Sequence, residues 1–161
     1  MENNKYVKLH SLLRMLAALL AIIAFVSMFF AKQIIDSTNE NNFCNWTEVY
    51  FGDAPTWKPT VFGFIGYVFI FLGGLAGLAF VFVDEMIGQD LTKKLSFVAG
   101  GLMLLGALFI FLTGVFFRAF NSDGAGIKKF HLAAAPIVFG ILGAVAGACN
   151  VAAPILEDKG L

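Results

Sequence analysis

The sequence predicts an all-α integral membrane protein: a left-handed bundle of four transmembrane helices with a short interfacial helix in its first loop. Three observations carry this reading. Hydrophobic residues make up 59% of the 161 and charged residues only 14%, whereas soluble domains are about a quarter charged. Four apolar runs, at residues 11–31, 60–83, 95–117 and 132–153, each meet the requirement of about 20 residues for a helix that crosses a bilayer. None of them alternates polar with apolar residues as a barrel strand must, and an open sheet edge cannot face lipid. Residues 1–161 therefore read as a single membrane domain, with 32–59 as its longest connection.

The first run follows Lys5 and Lys8 and contains Arg14 near its start. Its apolar core is longer than that of a secretory signal, and Phe29-Phe30-Ala31 lacks the small residue a cleavage site needs, so the run reads as a retained helix. Arg14 is expected to snorkel to the interface. The basic flank favours a cytoplasmic N-terminus. That orientation puts Lys5, Lys8, Arg14, Lys93, Lys94 and Lys159 inside, and Lys32, Lys58, Arg118, Lys128 and Lys129 outside, a nearly even split. Both termini then lie in the cytoplasm and the first loop faces outward, in a plasma membrane or bacterial inner membrane.

The first loop contains NNFCNWTEVYFGDAPTWKP, with both tryptophans and one of the two cysteines. Phe43, Trp46 and Tyr50 fall at i, i+3 and i+7, and Gly52-Asp53-Ala54-Pro55 supplies a stop, which predicts a short helix lying on the bundle. Trp and Tyr rings suit an interface because their bodies take apolar surface while their polar atoms stay wet. Trp57, just ahead of the second run, reads as an anchor at that boundary. Phe43, Trp46, Tyr50 and Trp57 are the candidate contacts with a partner, set against a role in capping the chain's own helices.

Cys44 has three readings: a buried small apolar residue, a bridge to another chain, or a lipid-modified thiol. Cys149 lies near the far end of the fourth run, about 25 Å across at 1.5 Å per residue, so the two cannot pair within one chain. Asn45-Trp46-Thr47 also satisfies the glycosylation triplet, which matters only in a secreted eukaryotic context.

Small residues are expected to carry the packing, because helices in lipid gain little from apolar burial and much from close approach. The first run has Ala17, Ala24 and Ala31 at seven-residue spacing; the second has Gly66, Gly73 and Gly77; the third has Gly100, Ala107 and Gly114; the fourth has Gly140, Gly143, Ala144 and Gly147. A seven-residue period implies the left-handed supercoil. The packing candidates are Gly73, Gly77, Gly100, Gly114, Gly143 and Gly147, and the Gly-xxx-Gly pairs 73/77 and 143/147 are assigned to the chain's own packing rather than to a dimer face. The phenylalanines exceed what one seam absorbs, so some face lipid or another subunit.

Polar residues inside the runs are few: Ser27, Tyr67, Ser96, Thr113 and Asn150 beside Arg14. The interior is expected to be dry, with Asn150 making an interhelical hydrogen bond. Pro136 falls in the first turn of the fourth run, where its missing amide costs little. Residues 84–94 and 118–131 read as short connections.

No chemical motif emerges. Haem would need facing histidines, but His10 and His131 lie at opposite faces. There is no Cys-x-x-Cys, no carboxylate pair at bilayer depth, no His-Glu-x-x-His and no phosphate-binding glycine loop. No catalytic residue, cofactor or metal is therefore expected, and zero net charge offers nucleic acid no basic stripe.

Four spans with a longest first loop look superficially like the claudin and tetraspan architecture. The claudin first-loop signature is absent, however, because Cys44, Trp46, Gly52 and Trp57 come in another order with one cysteine, and no adhesion role is carried over. The expected function is non-catalytic association with the lipid bilayer and with other membrane subunits or itself, as an accessory or structural subunit or a homo-oligomer. The alternative is a small channel or carrier with a pore between protomers or an apolar substrate.

Overall fold

The computed structural model describes residues 8–52, 57–122 and 129–159. Its elements are α1 (Leu9–Met28), β1 (Ile34–Asp36), β2 (Asn39–Cys44), α2 (Trp46–Phe51), α3 (Phe62–Ile87), α4 (Gln89–Phe120), β3 (Phe130–Leu132) and α5 (Ala134–Asp158). The four long helices are each long and apolar enough to cross a membrane, one for each apolar run.

The long helices form an antiparallel ring in which α1 packs on α3 and α5, α4 packs on the same two, and α3 meets α5 across the middle. The direction of each contact follows from its pairs: Phe25 of α1 stacks on Phe71 of α3, and Arg14 at the start of α1 meets Glu157 at the end of α5. α1 can approach closely because Ala17, Ala18, Ala21 and Ala24 face inward and are all buried.

The glycines face inward too. A Cβ on Gly66 would stand 2.5 Å from the Gly106 carbonyl oxygen, and one on Gly100 would stand 2.8 Å from that of Gly147. Side chains at these positions would push α3 from α4 and α4 from α5. Gly73 faces Ala99 and Met103, Gly77 faces Asn150, Gly143 faces Ile70, and Gly147 faces Gly100 and Leu104. Gly114 lies against Leu132 of β3, so it seats the cap rather than a neighbouring helix. Outward positions such as Leu19, Val98, Leu108, Ile141 and Val145 remain exposed and apolar.

The fold is mostly helical but not all-α. A three-stranded antiparallel sheet, ordered β2-β1-β3, closes one end of the bundle. Ile34 pairs with Cys44 and Leu132, and Ile35 pairs with Phe43 and His131. β-Branched Ile34 and Ile35 suit the central strand, and the Asp36 carboxylate accepts from the Thr38 amide and hydroxyl, each at 2.8 Å, to turn the chain into β2. β2 itself is Asn-Glu-Asn-Asn-Phe-Cys, a composition with little strand preference. Its pairing is decided by neighbours far along the chain.

Three boundaries also differ from expectation. Residues 84–94 are not a loop: α3 runs to Ile87 and α4 begins at Gln89, with Gly88 alone between them at φ 85°. Charged residues do not by themselves break a helix, whereas a glycine at positive φ does. α5 starts at Ala134 because residues 130–132 are strand, and it continues through Pro154 to Asp158. Residues 53–55 of the expected stop and 123–128 of the expected connection lie outside the described residues.

Candidate functional sites at the two ends of the bundle

The capped end is organised around Gln33. Its side-chain amide donates to the carbonyl of Met28 at 3.1 Å, an orphan acceptor at the end of α1, and to that of Ala31, just past the helix, at 3.2 Å. Its carbonyl oxygen accepts from the Tyr50 hydroxyl at 2.9 Å and the Tyr67 hydroxyl at 3.4 Å. α1, α2 and α3 are thereby tied together by one buried side chain.

α2 is set by a capping box. The Asn45 side chain accepts from the amides of Thr47 and Glu48, and Glu48 reaches back to the Asn45 amide at 2.7 Å. Gly52 closes the helix in the left-handed conformation at φ 75°, where a side chain would be strained. Asn121, at the end of α4, clamps the return of the first loop: its oxygen accepts from the Lys58 amide at 2.6 Å and its amide donates to the Lys58 carbonyl at 3.0 Å.

The four aromatic candidates separate. Tyr50 is fully enclosed and has no surface to offer a partner; burial pushes its hydroxyl well above the ordinary tyrosine range, against a lowering hydrogen bond with Thr113. Trp57 packs on Phe117 and Phe130, with ring centroids 5.9 and 5.3 Å away, so it anchors the loop to α4 and β3. Trp46 is half-buried, edge-on to Phe29 at 4.9 Å and Phe51 at 5.8 Å. Phe43 is 42% exposed and carries the Lys32 ammonium 4.3 Å above its ring; it belongs to β2, not to the short helix, which begins at Trp46.

Phe51, 54% exposed, and Phe30, 86% exposed, are further apolar groups at this end. An open recess of about 470 Å³ is lined by Trp46, Thr47, Phe51 and Gly52. The pattern reading picked Phe43 for helical spacing and passed over Phe51, whose position next to Gly52 signalled a helix end.

Cys44 is 4% exposed and Cys149 is partly buried, and both are free. Burial first, then the negative Glu48 nearby, push the Cys44 thiol up to about 11, so it stays protonated and poorly nucleophilic at neutral pH. Of its three readings, the geometry matches the buried small residue.

The opposite end has a polar interior. Arg14 does not snorkel: it is 1% exposed, and its guanidinium meets the Glu157 carboxylate at 3.1 Å. Lys93 of α4 pairs with Asp158, so the last acidic residues of α5 hold both α1 and α4. His10, Ser11, Thr92 and Ser96 are buried at the same end. Glu157 lies a turn beyond the apolar run at 132–153, on the part of α5 that continues to Asp158, so no run contains Arg14's partner.

Farther in, Asn150 makes the expected interhelical bond, its amide donating to the Gly73 carbonyl at 3.1 Å and to the Met103 sulfur at 3.2 Å. Among the described residues, no group of three or more His, Cys, Asp or Glu could hold a metal ion. Compared with known proteins, the chain matches no family model, no curated protein and no solved structure.

Proposed function

We propose that this chain is a multi-pass protein of a plasma membrane or bacterial inner membrane, with both termini cytoplasmic, whose work is non-catalytic association. It acts as an accessory or structural subunit or as a homo-oligomer. The observation that carries this is the aromatic rim of the capped end. Phe30, Phe43 and Phe51 are exposed around a cap tied down by the buried side chains of Gln33 and Asn121, and Trp46 lines an open recess beside Phe51. Aromatic groups at such a boundary are typical anchors for a partner.

Several features support the rest of the reading. The apolar outer faces suit lipid, and the seven-residue spacing of inward small residues suits a left-handed supercoil. Direct glycine contacts between α3 and α4, and between α4 and α5, leave little room for a solute path through one protomer, so a pore would have to form between copies.

The test is the double variant Phe43→Ser and Phe51→Ser. Both side chains are exposed, so the variant is expected to keep the thermal unfolding midpoint of the parent while losing its higher-mass assembly in size-exclusion chromatography with light scattering. An unchanged assembly would contradict the assignment of the rim.

A further inference from the structure

We infer that the partner at the capped end is a second copy of this chain, paired along the outward face of α1, with Phe30 of each copy seated in the aromatic recess of the other. This rests on the reading of the rim as an association surface and names what the rim binds. α1 carries two opposite rows. Arg14, Ala17, Ala21, Ala24 and Met28 are buried in the bundle. Leu12, Leu16, Leu19, Ile23, Val26 and Phe30 point away from it, the first five between 42% and 55% exposed and Phe30 86%. Their spacings alternate between four and three residues, the a and d pattern of a left-handed helix pair.

Phe30 and the recess are a knob and a hole on the same chain. Phe30 lies just past the end of α1 at Met28 and is the most exposed large apolar side chain among the described residues. The recess, about 470 Å³ and lined by Trp46, Thr47, Phe51 and Gly52, exceeds the roughly 150 Å³ in which an engineered cavity holds benzene. It is Phe29, the residue before the knob, whose ring meets Trp46 edge-on at 4.9 Å. In a parallel pair, a knob at position a enters a hole of four residues on the facing helix, and one of the four is the residue before the equivalent a position. Phe30 of one copy therefore meets Phe29 of the other and, through it, the recess wall at Trp46. The same contact recurs in the opposite sense, as a two-fold isologous interface requires.

The available area matches such a pair. The 20 residues of α1 span about 30 Å, so a stripe about 10 Å wide gives about 300 Å² per copy. A Phe30 that enters and a recess that receives each add about 200 Å², which brings one copy close to the roughly 800 Å² of a standard interface. Within hydrocarbon the row supplies fit and register rather than driving force. The force comes from the capped end, where Phe30 exchanges its exposure for two aromatic walls. Lipid covers an apolar stripe equally well; a protruding phenylalanine beside an aromatic recess large enough to hold it is what selects a second copy.

Oxidative cross-linking of the full chain in its membrane tests this. In a background with Cys44→Ala and Cys149→Ala, Val26→Cys on the outward row of α1 is compared with Val138→Cys on the outward face of α5, both native valines being about half exposed. Val26→Cys is expected to give at least about tenfold more disulfide-linked pair, since a bridge forms only where Cα atoms come within about 7 Å. Adding Phe30→Ala should remove most of that excess, and Phe30→Trp should keep it. Equal yields from the two cysteines would overturn the inference, as would an excess that survives Phe30→Ala. Native mass measurement of the unmutated chain gives a reading free of substitutions, with two copies per particle expected. A complex with a different subunit and one copy of this chain would overturn the second-copy assignment and leave association standing, whereas a lone chain would overturn both.

Discussion

Single residues here carry charge and hydrogen bonds where the surroundings give little help, so they make sharp predictions. Glu157→Leu removes the partner of a guanidinium that is 1% exposed, and breaking a buried pair one-sidedly costs about 3–5 kcal/mol. Adding Arg14→Leu should restore most of that loss, because two apolar groups replace two charges; thermal unfolding of the single and double variants in detergent checks both. Cys44 predicts a pH dependence. Its thiol ionises near 9.0 in the unfolded chain but only at about 11 when folded. Between those values unfolding releases a proton, so stability falls as pH rises through the window and is untouched below it. The alkaline slope of the unfolding midpoint should become shallower in Cys44→Ala. A slope identical to that of the parent would show that the thiol does not feel its surroundings as described.

At the scale of elements, glycine placement separates packing from tolerance. Gly66→Leu must push α3 from α4, since even a Cβ there would crowd the Gly106 carbonyl, and overpacking of this kind costs about 1–3 kcal/mol. Gly101 lies on the same α4 with nothing near its Cβ. Gly101→Leu should therefore be neutral or stabilising by up to about 1 kcal/mol through helix propensity, and paired unfolding measurements on the two variants check the contrast. The four helices were legible in the sequence because each is an uninterrupted apolar run, and the inward glycines were legible because their spacing follows the helical period. The sheet was not legible. β2 is made of Asn, Glu, Phe and Cys, and it becomes a strand only through pairing with Ile34 and Ile35, which also recruit Phe130–Leu132 from far along the chain. The short helix was legible from the Trp46 to Tyr50 spacing and Gly52, but Phe43 belongs to β2.

For the whole molecule, the two ends differ in kind. One is covered by a sheet and a helix whose polar groups turn inward onto Gln33 and Asn121, leaving phenylalanines at the rim. The other is held by Arg14, Lys93, Glu157 and Asp158 around a polar interior. Long-range pairs such as Arg14 with Glu157 join opposite ends of the sequence, which is why no local pattern announces them. A close-packed middle and an aromatic rim support the proposal that the bundle works by association. The most direct test is the mass of the particle extracted from its own membrane with its surrounding lipid retained, measured by native mass spectrometry. The account predicts a defined complex with fixed stoichiometry, heavier than the 17.4 kDa chain. Recovery of a lone 17.4 kDa chain at every protein concentration would contradict it.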